Sequence, residues 1–147
     1  MKYYLFDEEG VLQKFDVERF LKDYYTNLEI LSSLEEEEKE FRFMYGTSRE
    51  PKVQTSKISN NTENLALLYF NIQNRIEKYR AYFRTYNRAM EAMPEDDRAL
   101  LKLFYLDKHI HPLTKAMIKF GISKSEVYRR REKALKHFSS LVVGDDI

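Results

Sequence analysis

The chain contains no cysteine, which excludes a disulfide framework and any chemistry built on a thiolate nucleophile. No apolar run approaches the roughly 18 residues of a membrane span. Glycine and proline are scarce, four and three in 147 residues, and no Gly-rich phosphate-binding loop can be assembled from them. HExxH is absent and no Ser-His-Asp arrangement can be specified. His109 and His111 alternate in a polar connector, a weak signal for a metal. The sequence therefore predicts a protein that is not an enzyme, with no catalytic residue, metal or cofactor. The opening MKYYLFDEEG turns acidic where a signal peptide would continue apolar, which predicts an intracellular location.

What is present suits one compact domain, or a small domain with a helical extension: 43% of residues are hydrophobic. The net charge of +1 conceals an asymmetry. Met1 to Glu50 holds 7 Lys/Arg against 13 Asp/Glu, whereas Lys108 to His137 holds 9 against 2. Only the C-terminal third is equipped to attract a polyanion, and the acidic N-terminal third would repel one.

The periodicities predict an all-α fold: a long helical hairpin followed by a C-terminal helix-turn-helix, with a short β-hairpin at the N-terminus. KYYLF and VLQKF flank Asp7-Glu8-Glu9-Gly10, which reads as a turn. Asp16 is placed to cap a helix whose stripe is Val17, Leu21, Tyr24, Leu28 and Leu31. The run Glu35-Glu36-Glu37-Glu38 reads as a solvated helix face. Residues 46–60 lack a hydrophobic period and are read as a linker. A second long helix starts near Asn61 or Thr62. Its apolar residues Leu65, Tyr69, Ile72, Ile76, Tyr79, Phe83, Tyr86 and Met90 alternate in steps of four and three, the spacing of a helix-packing seam. That seam predicts an intramolecular hairpin that also supports association between copies. Residues 1–93 thus form an association region, 94–142 the helix-turn-helix and 143–147 a tail.

Pro94 ends the second long helix, and Glu95-Asp96-Asp97 favours the start of the next through the helix dipole. Leu100, Leu101, Leu103, Phe104 and Leu106 form its apolar face. Pro112 opens a short helix to Phe120, Gly121 takes a left-handed cap, Ile122 fills the corner and Ser123 caps the last helix. On that last helix Val127, Leu135 and Phe138 point to the core. Such a unit can place its second helix in the DNA major groove, roughly 12 Å wide. The DNA-binding set is Lys115, Lys119, Ser123, Lys124, Ser125, Glu126, Tyr128, Arg129, Arg130, Arg131, Glu132, Lys133 and Lys136. Within it, Lys124, Ser125 and Tyr128 are expected at base edges, and Arg131, Lys133 and Lys136 at phosphates.

GISKSEVYRRREKALKHF resembles the helix-turn-helix of sigma-factor region 4 and, more closely, that of the RinA/ArpU-type phage transcriptional regulators. KVQTSKISNNTENLALLYFNIQNRIEKYR is similar to the linker and long helix that precede it there, so the likeness covers roughly Lys52 to Val142. Arg130 departs from the pattern, standing where an apolar core residue is usual, and so does Ala116-Met117, where the related helix more often has a large residue followed by a small one. The resemblance implies a sequence-specific DNA-binding activator of phage or prophage late genes for packaging and morphogenesis. It would act in the cytoplasm of the bacterial host, associated with the nucleoid. Its partners would be double-stranded DNA, host RNA polymerase and further copies of the chain, with no membrane. Two other readings stay open: a small terminase subunit that recognises packaging-site DNA, and a protein-interaction module that contacts RNA polymerase without reading DNA.

Overall fold

A computed structural model describes residues 3–6, 8–10, 12–45, 60–107 and 111–144. It is all-α apart from one small sheet. The linker predicted at 46–60 lies outside these residues except for Asn60, and so does most of the connector before His111. The chain divides into two compact units: Met1–Tyr25 with Arg84–Ile147, and Thr26–Phe83. The first unit therefore joins both ends of the sequence, whereas the sequence patterns suggested a division after residue 93.

In the first unit, strands β1 (Tyr4–Phe6) and β2 (Leu12–Phe15) pair antiparallel, with Tyr4 opposite Phe15 and an irregularity between Leu5 and Phe6. Gly10 takes φ 79 between them, a conformation that costs other residues more. Asp16 caps α1 (Val17–Lys22), its side chain accepting the Arg19 amide at 3.2 Å. A continuous stripe from Val17 to Leu31 does not form, because α1 stops at Lys22 and α2 (Tyr24–Tyr45) restarts after Asp23. Tyr24 packs on Tyr86 and Leu31 joins the hairpin core, but between them Asn27 is buried and Leu28 is 41% exposed.

Helix α3 (Asn60–Ala92) already contains Asn61 and Thr62, starting one or two residues ahead of the caps expected for it. Its last residues belong to the first unit, where Tyr86, Ala89, Met90 and Met93 are buried. Phe20 lies 5.1 Å from Tyr3, 5.4 Å from Phe15 and 5.9 Å from Phe138, and Phe138 lies 6.2 Å from Tyr86, all between ring centroids. Edge and tilted contacts of this kind add to the burial of the rings themselves.

Helix α4 (Glu95–Leu101) follows the Pro94 cap and runs into a five-residue π-helical segment, Lys102–Leu106. The Asp107 amide reaches back to the Lys102 carbonyl at 2.7 Å, the wider spacing of a π turn. Leu103 and Leu106 in this segment are buried, as are Leu100 and Leu101 on α4.

The second unit is a helical hairpin. Leu34 on α2 packs with Ile72 and Ile76 on α3, flanked by Ile30, Leu31, Phe41 and Tyr79. Arg80 reaches Glu35 at 3.6 Å near one end, and Phe41 stacks on Tyr69 at 5.1 Å near the other, so the helices run antiparallel. Tyr69 also joins a polar set, accepting from Arg42 Nε at 3.2 Å and donating to Glu38 at 3.5 Å. Part of the predicted seam is thus consumed within the chain. Glu35, Glu36 and Glu37 are exposed, as expected of a solvated face.

Candidate nucleic-acid interface

Two helices and the corner between them build the basic surface. Pro112 opens α5 (Pro112–Phe120), where its missing amide would have no helical partner in any case. The helix ends at Gly121, which takes φ 63 and ψ 40 and donates its amide to the Met117 carbonyl. The Ile122 amide reaches the same carbonyl at 3.3 Å, so Met117 accepts both amides of the left-handed corner, and the Met117 and Ile122 side chains pack on one core. Nothing lies within 4 Å of where a Cβ on Gly121 would stand, so backbone conformation alone selects glycine there.

Ser123 caps α6 (Lys124–Val143), its hydroxyl accepting the Glu126 amide at 3.3 Å. Val127 seats the helix on Leu100, Leu103 and Ala116, with Phe104, Leu113, Met117 and Phe120 around them. Ala134, Leu135 and Phe138 continue the buried face. Ala116, the small residue that departs from the related pattern, is fully buried in this contact, which brings α5 close to its neighbours. The opposite face carries Lys124, Ser125, Tyr128, Arg129, Glu132, Lys133 and Lys136, all exposed. Lys115 and Lys119 are exposed on α5, and Lys119 Nζ stands 5.8 Å from the centre of the Phe120 ring.

The three consecutive arginines are engaged in three different ways. Arg129 meets the Glu126 carboxylate with two nitrogens, Nε at 2.8 Å and Nη2 at 2.5 Å. Arg130 bends back to the same carboxylate, Nε at 3.2 Å, and is half-buried along its stem. Hydrogen bonds from Arg129 and then Arg130 hold the Glu126 carboxyl down at about 2, and the carboxylate in turn keeps Arg129 charged. Arg131 turns inward: its guanidinium carbon lies 5.1 Å from the Phe104 ring and 5.0 Å from Tyr128. Its Nε is buried without a hydrogen-bond partner among the described residues, and its outer nitrogen is 3.7 Å from Glu132. Arg131 therefore braces the ring of Tyr128 instead of projecting as a phosphate contact.

Sequence reasoning missed Phe104 as the second wall of this stack, because the π segment that aims it leaves no pattern in the sequence. Lys14 and Lys136 border one groove of about 580 Å³, whose walls include Phe15, Leu135 and Val143. Among the described residues no group of three potential ligands could hold a metal ion, and no helix is long and apolar enough to cross a membrane. No family model, curated protein or solved structure matches the chain.

Proposed function

We propose that the protein is a non-enzymatic, sequence-specific binder of double-stranded DNA that inserts the N-terminal half of α6 into the major groove. The observation that carries this reading is the coincidence, on one element, of a left-handed glycine corner, a serine cap, a buried Val127 seat and an outward basic face. A cap or a basic face alone would be a common surface feature. Together they describe a helix fixed in orientation and presenting lysines and short polar groups from its first turns. Ser125 and Tyr128 read base edges, and Lys133 and Lys136 meet phosphates. Activation of phage late genes, host RNA polymerase as a partner and association between copies rest on the sequence resemblance and belong to the same proposal.

Genome-wide capture with the purified protein, followed by binding titrations on the recovered site and on random duplex, tests it. Lys136→Ala should weaken both DNAs similarly. Ser125→Ala or Tyr128→Ala should change preference among sites by about 1–3 kcal/mol at one base pair. Absence of any binding at low salt would sink the DNA reading and favour a module that contacts RNA polymerase. A ring of many subunits on a packaging site would move the assignment to a small terminase subunit.

A further inference from the structure

Glu126 is the one acidic side chain in the first turn of α6, and it stands in a recognisable local pattern. Ser123-Lys124-Ser125-Glu126 has the S-x-x-E spacing in which the glutamate usually turns back to the cap residue. Ser123 performs its half, accepting the Glu126 amide. The Glu126 carboxylate is instead directed along the helix, to Arg129 and Arg130 together. One bidentate fork from Arg129 and a single Nε contact from Arg130 converge on one carboxylate, the kind of charge-assisted contact that arginines also make on a phosphate group.

The geometry points to Glu126 as a specificity-determining residue: an internal stand-in for phosphate that occupies Arg129 and Arg130 until correctly registered DNA displaces it. The inference rests on the DNA-binding reading above. All three arginines of the run are engaged within the protein, so Lys124, Lys133 and Lys136 are the cations of α6 that pair with no described acidic side chain. Lysines give non-specific attraction that any duplex satisfies. Drawing out Arg129 and Arg130 leaves the Glu126 carboxylate facing the phosphates unpartnered, a cost repaid only where both arginines find partners in register. The clamp is exposed to water, and ion pairs of that kind are individually weak, so it can open on binding and close on release. Random DNA is thereby penalised more than a cognate site, which is selection against wrong partners built from one side chain.

The test compares the full-length protein with Glu126→Gln, a change that keeps the shape and the Ser123 cap, on random duplex and on the captured site across salt concentrations. The substitution frees both arginines for any DNA backbone. Random-duplex affinity should rise about 5- to 10-fold at 0.1 M salt for each new phosphate partner, and the salt slope should steepen by about 0.9 per partner. The captured site should benefit less, so discrimination falls. Arg129→Gln and Arg130→Gln supply a second arm: each should cost random-duplex affinity little in the wild-type background and much in the Glu126→Gln background. Unchanged random-duplex affinity and slope in Glu126→Gln, or equal arginine costs in both backgrounds, overturns the role of Glu126 while leaving wild-type DNA binding intact. No binding by either protein removes the DNA reading and this inference together.

Discussion

The two units of this chain bury their apolar residues in different ways. In the unit formed by both chain ends, Leu21, Leu101, Ala116, Val127, Ala134 and Phe138 are wholly enclosed, and they come from four helices, α1, α4, α5 and α6. In the hairpin, a line of Leu34, Ile72 and Ile76 carries the packing, while Phe43, Met44, Leu67, Leu68 and Phe70 are between 48% and 92% exposed. A core assembled from many directions fixes each helix in position and in rotation. A two-helix seam fixes mainly its own register. The face proposed to read DNA stands on the first kind of support, as a reading helix must, because an error of an ångström at its side chains would remove directional hydrogen bonds.

Deletions in the two cores should expose that difference. Phe138→Ala removes a ring that packs against Phe20 from the start of the sequence and Tyr86 from its middle, and should cost about 3–5 kcal/mol, the largest loss expected here. Urea unfolding followed by near-ultraviolet circular dichroism would register it. Ile76→Ala should cost about 2–4 kcal/mol, and hydrogen exchange should show the loss of protection confined to 26–83. Uniform loosening of the whole chain by Ile76→Ala would break the comparison and show that the two units unfold as one. Ile76→Glu separates seam from interface: melting of the hairpin is expected if the seam only packs within the chain, and a folded monomer in place of a wild-type oligomer would support the association role read from the spacing of fours and threes.

A backbone effect comes next in size. Gly121→Ala has open space for its methyl group, yet must hold φ 63, and should cost about 1 kcal/mol. A neutral result in thermal unfolding would mean that the corner relaxes, and DNA discrimination should then fall with it, because the start of α6 would no longer be set.

Local chemistry made much of this legible in advance. Asp16, Pro94, Pro112, Gly121 and Ser123 act through neighbours within a few residues, and each sits where its side chain or ring predicts. The α3 stripe was readable because one long helix keeps one phase. Leu28 was misplaced because the polar Asn27 takes the buried position beside it, and a hydrophobic spacing of fours and threes does not count a buried asparagine. The junction of Phe20 with Phe138 joins residues from opposite ends of the chain, beyond the reach of any periodicity. At the candidate site, the basic face was visible but its internal pairing was not. Lysines and arginines look alike to a charge count, while only the folded geometry shows Glu126 holding two arginines and Phe104 flanking a third.

The smallest effect expected is a matter of pH, and it belongs to the first unit. Burial, followed by the nearby Glu18 carboxylate, pushes the Tyr105 hydroxyl up to about 12, and burial also raises Tyr86. An unfolded tyrosine loses its proton near pH 10, so the folded state binds the proton more tightly than the unfolded state does. The stability contributed by these groups is complete below about pH 10 and is lost as pH rises toward the folded value. Alkaline unfolding of the first unit should therefore set in above about pH 10, and absorbance of the ionised ring should rise late, together with the loss of structure. Tyr105→Phe removes one of the two groups and should flatten part of the decline between about pH 10 and the folded value of about 12, while at neutral pH the ring remains and only the hydroxyl's hydrogen bond to Glu18 is lost. If Tyr105 instead ionises near its ordinary value with the fold intact, its hydroxyl is reached by water, and the junction of α1 with the π segment is looser than the core around Phe138.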